Sequence, residues 1–357
     1  VITTTLCVLF VFFSGLAQAE EKPLRKVKIA VGTAVLNVAY PWLMMPQVLG
    51  YWRDEGYDVE VLPVGGGLQA VQQMVAGNAD FGQMSSPLII QSAVKNDIPL
   101  RAVMVNGTID WSISVLQDGP IRNVTDLRGK AIGVFSLAVG GIAYMNAYLQ
   151  SAGVSPKDVK LIPVGMGAPA VEALRTNKVQ ALVYWGGAQA SFENAGLKLR
   201  YFRSPDWSQY PDFALTTLQK TIDRDPQMVQ AIARGAVKAS IFAMANPDCV
   251  RRLQWGRWPE TKPRGAEEAS QIKWDMHTLD ASLTTMRDSL VVGDGKTWGK
   301  ATSAAYSKLQ DFVFSVGMID RKIDPENYIV KIPGFYEKSN DIDVASIRAE
   351  AAACRTK

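Results

Sequence analysis

One pattern, written twice about one hundred residues apart, constrains this chain more than any other feature. Asp58, Val59, Pro63, Val64, Gly65, Gly67, Ala70 and Val71 return as Asp158, Val159, Pro163, Val164, Gly165, Gly167, Ala170 and Val171. Both copies have the same order: a β-rich run, a helical run ending in Gly, an apolar run ending Pro-Val-Gly-x-Gly, a second helical run and a further apolar run. The units cover 27–82 and 131–186. Solenoid repeats run roughly 20–50 residues, so this spacing points to duplication of a whole α/β lobe. The competing explanation is chance likeness between two ordinary βαβ units, which share Gly-capped helices and Val-rich strands. Two similar lobes imply a cleft between them.

With 357 residues, 48% apolar and 20% charged, the chain can bury a full core and is expected to hold two domains. The net charge of +4 is mild and its basic residues are scattered, which argues against nucleic acid as a partner. Leu6 to Leu16 is an apolar run too short to span a bilayer, and Ala17-Gln18-Ala19 follows as a small-x-small cleavage site. We therefore expect residues 1–19 to be a secretory signal peptide and the mature protein to be soluble and exported. No basic residue precedes Leu6, which departs from that pattern and leaves the start of the precursor open. No later run of about 20 apolar residues is evident, so no membrane helix is expected. Cys249 and Cys354 could pair in an oxidising compartment, but Cys354 lies close to the tail, and the sequence leaves this open. The cysteine and histidine inventory is too poor for a Cys/His zinc cluster, and no metal or cofactor is expected.

Strands are expected at 27–31, 59–64, 79–84, 101–105, 113–117, 131–135 and 179–184, and helices at 39–50, 68–76, from Ser86 onward, and at 141–152. Gly56 reads as the left-handed stop after the first helix, and Ser85-Ser86-Pro87 as a serine-capped helix start. The polar stretch 106–111 suits a passage from one lobe to the other. After about Asp212 the strand signal fades into helices near 226–245, 266–290 and 298–316.

In open α/β sheets ligands bind beyond the carboxyl ends of the strands. Applied here, that rule selects 37–42, 83–86, 106–111, 136–141, 165–167 and 184–187. These segments hold Tyr40, Trp42, Trp111, Tyr184 and Trp185, together with Ser85, Ser86, Asn106, Thr108, Asp110, Ser136, Gly140 and Gly141. Aromatic rings beside hydroxyl, amide and helix-start N–H donors describe a binding pocket. Each has a plainer reading: Trp42 as helix core, Ser85 and Ser86 as a cap, Asp110 as a turn residue. The triple glycine 65–67 lacks the Gly-Lys-Ser/Thr ending of a phosphate loop and reads as a tight turn. His277 is the single histidine, so any Ser-His-Asp or Cys-His site would have to rest on it.

Four phrases carry a family likeness: Gly50-Tyr51-Trp52-Arg53-Asp54-Glu55-Gly56-Tyr57-Asp58-Val59-Glu60, Val75-Ala76-Gly77-Asn78-Ala79-Asp80-Phe81, Asp126-Leu127-Arg128-Gly129-Lys130-Ala131-Ile132-Gly133-Val134, and Pro156-Lys157-Asp158-Val159. In this order, with the Gly-rich turn after the first, they resemble the NMT1/THI5-like group of periplasmic binding proteins, which serve ABC importers of nitrate, sulfonates, taurine and thiamine-pyrimidine precursors. The resemblance covers about 27–215. It implies a two-lobed periplasmic-binding-protein (type II) clamshell, each lobe a doubly wound sheet flanked by helices. The first lobe would hold 20–110 and 212–357, the second 111–211. It also implies that the thirteen residues named above face the ligand. The family's yeast pyrimidine synthases use a cysteine-rich motif that this chain lacks.

The resulting expectation is a monomeric, non-enzymatic solute receptor that closes by hinge motion over a small organic ligand, aromatic or planar and possibly anionic, and presents it to an ABC permease in the inner membrane. The alternatives are a thiamine-pyrimidine-type enzyme and a ligand sensor for a membrane signalling partner. The copies agree in scaffold residues and disagree where strands end, Met84-Ser85-Ser86 against Tyr184-Trp185-Gly186, so specificity is expected in that disagreement.

Overall fold

The computed structural model describes residues 23–355, and the signal peptide expected over 1–19 lies outside them. The first half runs β1 (Arg25–Val31), α1 (Pro41–Val48), β2 (Tyr57–Pro63), α2 (Gly67–Val75), β3 (Phe81–Met84), α3 (Ser86–Asn96) and β4 (Leu100–Thr108). The second runs β5 (Ser112–Leu116), β6 (Ala131–Val134), α4 (Gly141–Ser151), β7 (Lys160–Pro163), α5 (Ala168–Arg175), β8 (Ala181–Tyr184), α6 (Gly186–Asn194) and β9 (Leu199–Phe202). The chain then returns as β10 (Pro211–Leu218) and finishes in helices: α7 (Gln219–Arg224), α8 (Pro226–Ala245), α9 (Pro247–Arg257), α10 (Glu268–Gly293), α11 (Ser303–Ser315), α12 (Phe335–Asn340) and α13 (Val344–Ala353).

Two five-stranded sheets result, ordered β2-β1-β3-β10-β4 and β7-β6-β8-β5-β9. They are counterparts strand for strand. In each, three parallel strands come from the repeated unit and the fourth is antiparallel. The repeated Pro-Val-Gly-x-Gly therefore marks the same step twice, from β2 into α2 and from β7 into α5. Helices cover both faces of a mostly parallel sheet, as such sheets require. The two-lobed α/β clamshell expected from the sequence is the fold found.

Several local expectations need correction. The segment after Asp212 is not helical at first but forms β10, a central strand. Both its faces are buried, its register shifts between Leu215 and Thr216, and Phe213 has φ +25°, so no clean alternation advertises it. The stretch 106–111 is not a polar loop: β4 continues through Thr108, and Ile109, Asp110 and Trp111 cross between the lobes fully buried. The first helix stops at Val48, where the Leu49 N–H bonds back to Met45 and Gly50 turns left-handed at φ +73°, well before Gly56. α8 is long and apolar enough by composition to cross a membrane, but it is largely buried as the core helix against α1 and α13.

Cys249 and Cys354 form a disulfide across 105 residues of sequence, which settles the open pairing. Cys354 is no frayed tail, because α13 is docked: Asp343 caps it through Ser346, Asn246 Nδ2 donates to Ala351, and Tyr51 bonds Glu350 at 2.7 Å. α10 packs against β4 of the first sheet and α6 of the second, so one helix spans both lobes.

Candidate functional site

The strand-to-helix loops of both sheets face one another across a small cavity of about 30 Å³. Val31, Gly32, Tyr40, Gly67, Gln83, Met84, Ser85, Leu88 and Phe213 line it from the first lobe, and Trp111, Val139, Gly140 and Trp185 from the crossing and the second. The lobes touch around its rim. Ser136 Oγ donates to the Gly65 carbonyl at 2.9 Å, and the Ser85 and Tyr144 hydroxyls lie 3.4 Å apart. A Cβ on Gly140 would sit 2.6 Å from Ser85 Cβ, so this approach requires glycine.

Of the residues selected from sequence, Tyr40, Ser85, Trp111, Gly140 and Trp185 stand in the cavity wall. Trp111 and Trp185 meet edge-on with centroids 5.3 Å apart, and Phe135 braces Trp185 from behind at 6.5 Å. Tyr40 is buried, and loss of solvation pushes its phenol up to about 12, so it stays neutral. The other selected residues stand behind this wall. Trp42 and Asn106 are buried and reach Gln83 Oε1 at 3.2 and 3.3 Å. Ser136 holds the rim, and Gly141 lies under Trp111, whose Cε3 would be 2.0 Å from an added Cβ. Tyr184 is fully buried, packs edge-on against Phe192 and donates to the Gly165 carbonyl. Thr108 and Asp110 border a separate hollow with Arg203 and Asp288.

The expected serine cap is also different in detail. Ser85 occupies the N-cap position of α3 but makes no capping bond; instead Asp212 Oδ1 accepts from Ser86 N at 3.0 Å, and Ser86 Oγ pairs with Tyr306 at 2.9 Å. Trp111 Nε1 donates to the other oxygen of Asp212 at 3.1 Å. Burial raises the Asp212 carboxyl to about 6, against the lowering effect of hydrogen bonds from Ser85, Ser86 and Tyr144. Asp110 Oδ2 accepts from Gly186 N at 2.8 Å, and burial, with a smaller push from Asp212, raises it to about 7.

Phe213 lies outside every segment selected from sequence, and Gln83 lies inside the selected segment 83–86 without being singled out as a wall residue. Gln83 is a polar residue inside the wholly buried strand Phe81-Gly82-Gln83-Met84, a signal that was available. Phe213 carries a positive φ that no sequence pattern marks, and strain of that kind gathers at ligand sites. His277 lies half-exposed on α10 beside Asn194, outside the wall.

The family model described as NMT1/THI5 like matches residues 41–249. The riboflavin-binding protein RibY of Chloroflexus aurantiacus is 20% identical over 324 residues, 89% of either chain. The taurine-binding periplasmic protein of Escherichia coli is 23% identical over 211 residues, 58% of this chain and 63% of its own length. A solved protein of Bordetella bronchiseptica RB50 superposes with a TM-score of 0.71 at 22% identity, covering 88% of this chain and 97% of that one; at such identity the likeness is one of fold.

Proposed function

The chain belongs to the NMT1/THI5-like family, and from that premise we propose that it is the solute receptor of an ABC importer. Its relatives are solute-binding proteins, one of them named as periplasmic. The observation that carries the reading is the aromatic cavity between the lobes, walled from both sides and closed at the rim by contacts that hinge opening would break. The ligand is a small organic molecule with a planar or aromatic face, held against Trp111, Trp185 and Tyr40, with Ser85 offering a hydroxyl. The closed lobes then present a composite surface to a permease in the membrane. A monomer suffices, since both walls come from one chain. The disulfide fits a periplasmic location, where thiols oxidise.

Among the described residues no carboxylate, histidine or cysteine stands in the cavity wall, which favours capture over turnover. The test is to purify the protein, identify co-bound metabolites by mass spectrometry and screen solutes by thermal shift. A receptor gains stability from its ligand, about 2.7 kcal/mol at one hundred times Kd. If no small solute is retained and none raises Tm, the receptor reading fails.

A further inference from the structure

The duplication places one carboxylate at the same point in each lobe. β10 pairs Ala214 with Met84, and β5 pairs Ser112 with Tyr184, the repeat mate of Met84. Counting two residues back makes Asp212 and Asp110 counterparts. Their bonds are counterparts too: Asp212 holds Ser86 N at 3.0 Å and Asp110 holds Gly186 N at 2.8 Å, the first residues of α3 and α6. Each carboxylate therefore sits where a helix N-terminus would otherwise welcome an anion.

The local charge balance follows. The helices α1, α2, α3, α4 and α6 begin at or beside the cavity, through Tyr40, Gly67, Ser85, Gly140 and Trp185. At about half a unit charge each they supply roughly +2.5, which two ionised carboxylates cut to roughly +0.5. The wall holds no Lys, Arg or His to restore a positive field.

Gln83 lines this cavity and is only 2% exposed. Its Oε1 is occupied by Trp42 and Asn106, while its Nε2 has no hydrogen-bond partner among the described residues. A buried donor is costly to leave unmade. We propose that the ligand is an uncharged planar ring bearing a carbonyl or ring-nitrogen acceptor, that Gln83 Nε2 donates to that acceptor, and that Asp110 and Asp212 turn carboxylates and sulfonates away. Trp42 and Asn106 act as positioning residues, fixing the amide so that its donor faces the cavity. The inference rests on the receptor reading and narrows its ligand class.

Pairs of matched shape, one neutral and one anionic, test it: 2-naphthamide against 2-naphthoate and nicotinamide against nicotinate, with lumichrome as a larger neutral ring. Binding to the whole protein is measured by calorimetry and thermal shift at pH 8, where both carboxylates are ionised. The expected result is a neutral member binding at least about tenfold tighter than its anion, and Gln83→Leu and the similarly shaped Gln83→Glu each weakening the neutral member by about tenfold. Circular dichroism and the ligand-free Tm show that each variant is folded; if only one folds, that one decides. Anions binding as tightly as amides, or a folded Gln83 variant binding the amides unchanged, overturns this inference and leaves the receptor standing. Silence from every probe, with no retained metabolite, removes the receptor reading and this inference together.

Discussion

The two lobes are built alike and furnished differently. Their sheets have the same order, their fourth strands the same direction, and Asp110 and Asp212 the same bond to a helix start. Yet at matched positions Gln83 faces Val183, Met84 faces Tyr184 and Ser85 faces Trp185. What repeats is what any helix start or strand pairing needs; what differs decides the chemistry of the cavity. The first lobe supplies the polar contacts of Gln83, Ser85 and Tyr40, and the second supplies the indole of Trp185. A two-fold scaffold thus holds a one-sided ligand, which needs unlike walls.

The lobes also differ in how they are secured, and removing that difference should have the largest effect. The first lobe alone carries the Cys249–Cys354 disulfide. Closing a loop of this length stabilises by about 2–5 kcal/mol. Cys354→Ala should lower the urea midpoint accordingly and free α13 for early hydrogen exchange, while the second sheet keeps its protection. Equal loss of protection in both lobes would mean that they unfold as one unit.

Next in size is the contrast at matched wall positions. Trp185→Ala should weaken binding of the solute returned by mass spectrometry by about 2–3 kcal/mol, the scale of a buried aromatic anchor. Ser85→Ala should cost about 1 kcal/mol or less. Calorimetry on the two variants measures the asymmetry directly, and equal losses would contradict the division of labour between the walls.

The smallest effect concerns the carboxylates that the lobes share. Unfolded, each has a pKa of about 3.9, but in the fold burial lifts Asp212 to about 6 and Asp110 to about 7. The folded state then holds more protons, so the stability these groups contribute is full below about pH 4 and is lost as pH rises through 6 and 7. Arg203 partly offsets the shift at Asp110, and Asp212 adds to it. Tm should therefore fall between pH 5 and pH 8. Asp275, also raised to about 6 by burial, contributes in the same direction. Asp110→Asn should flatten the upper part of the profile and Asp212→Asn the lower; a profile that neither changes would show that the charges are not the buried pair described.

Much of this was readable in advance, for identifiable reasons. Local periodicity and glycine stops located the repeated unit, and the strand-end rule brought Tyr40, Ser85, Trp111, Gly140 and Trp185 to the cavity. Other features depend on partners far away in sequence. β10 lacks alternation because both its faces are covered. The equivalence of Asp110 and Asp212 depends on strand register, which no window of sequence contains. Trp42 and Asn106 were selected as ligand contacts because they lie near strand ends, whereas their role depends on where Gln83 points. The disulfide could not be decided without the docking of α13.

The position of β10 also bears on the order in which the protein is made. β4 meets its sheet through β10, which lies between it and β3. While the chain emerges from its N-terminus, β4 must wait with that edge unpaired through the whole of the second lobe, until residue 218 appears. The second sheet needs nothing beyond Phe202. A chain of this design completes its later lobe first and keeps its earlier one unfinished until β10 arrives to join β3 and β4.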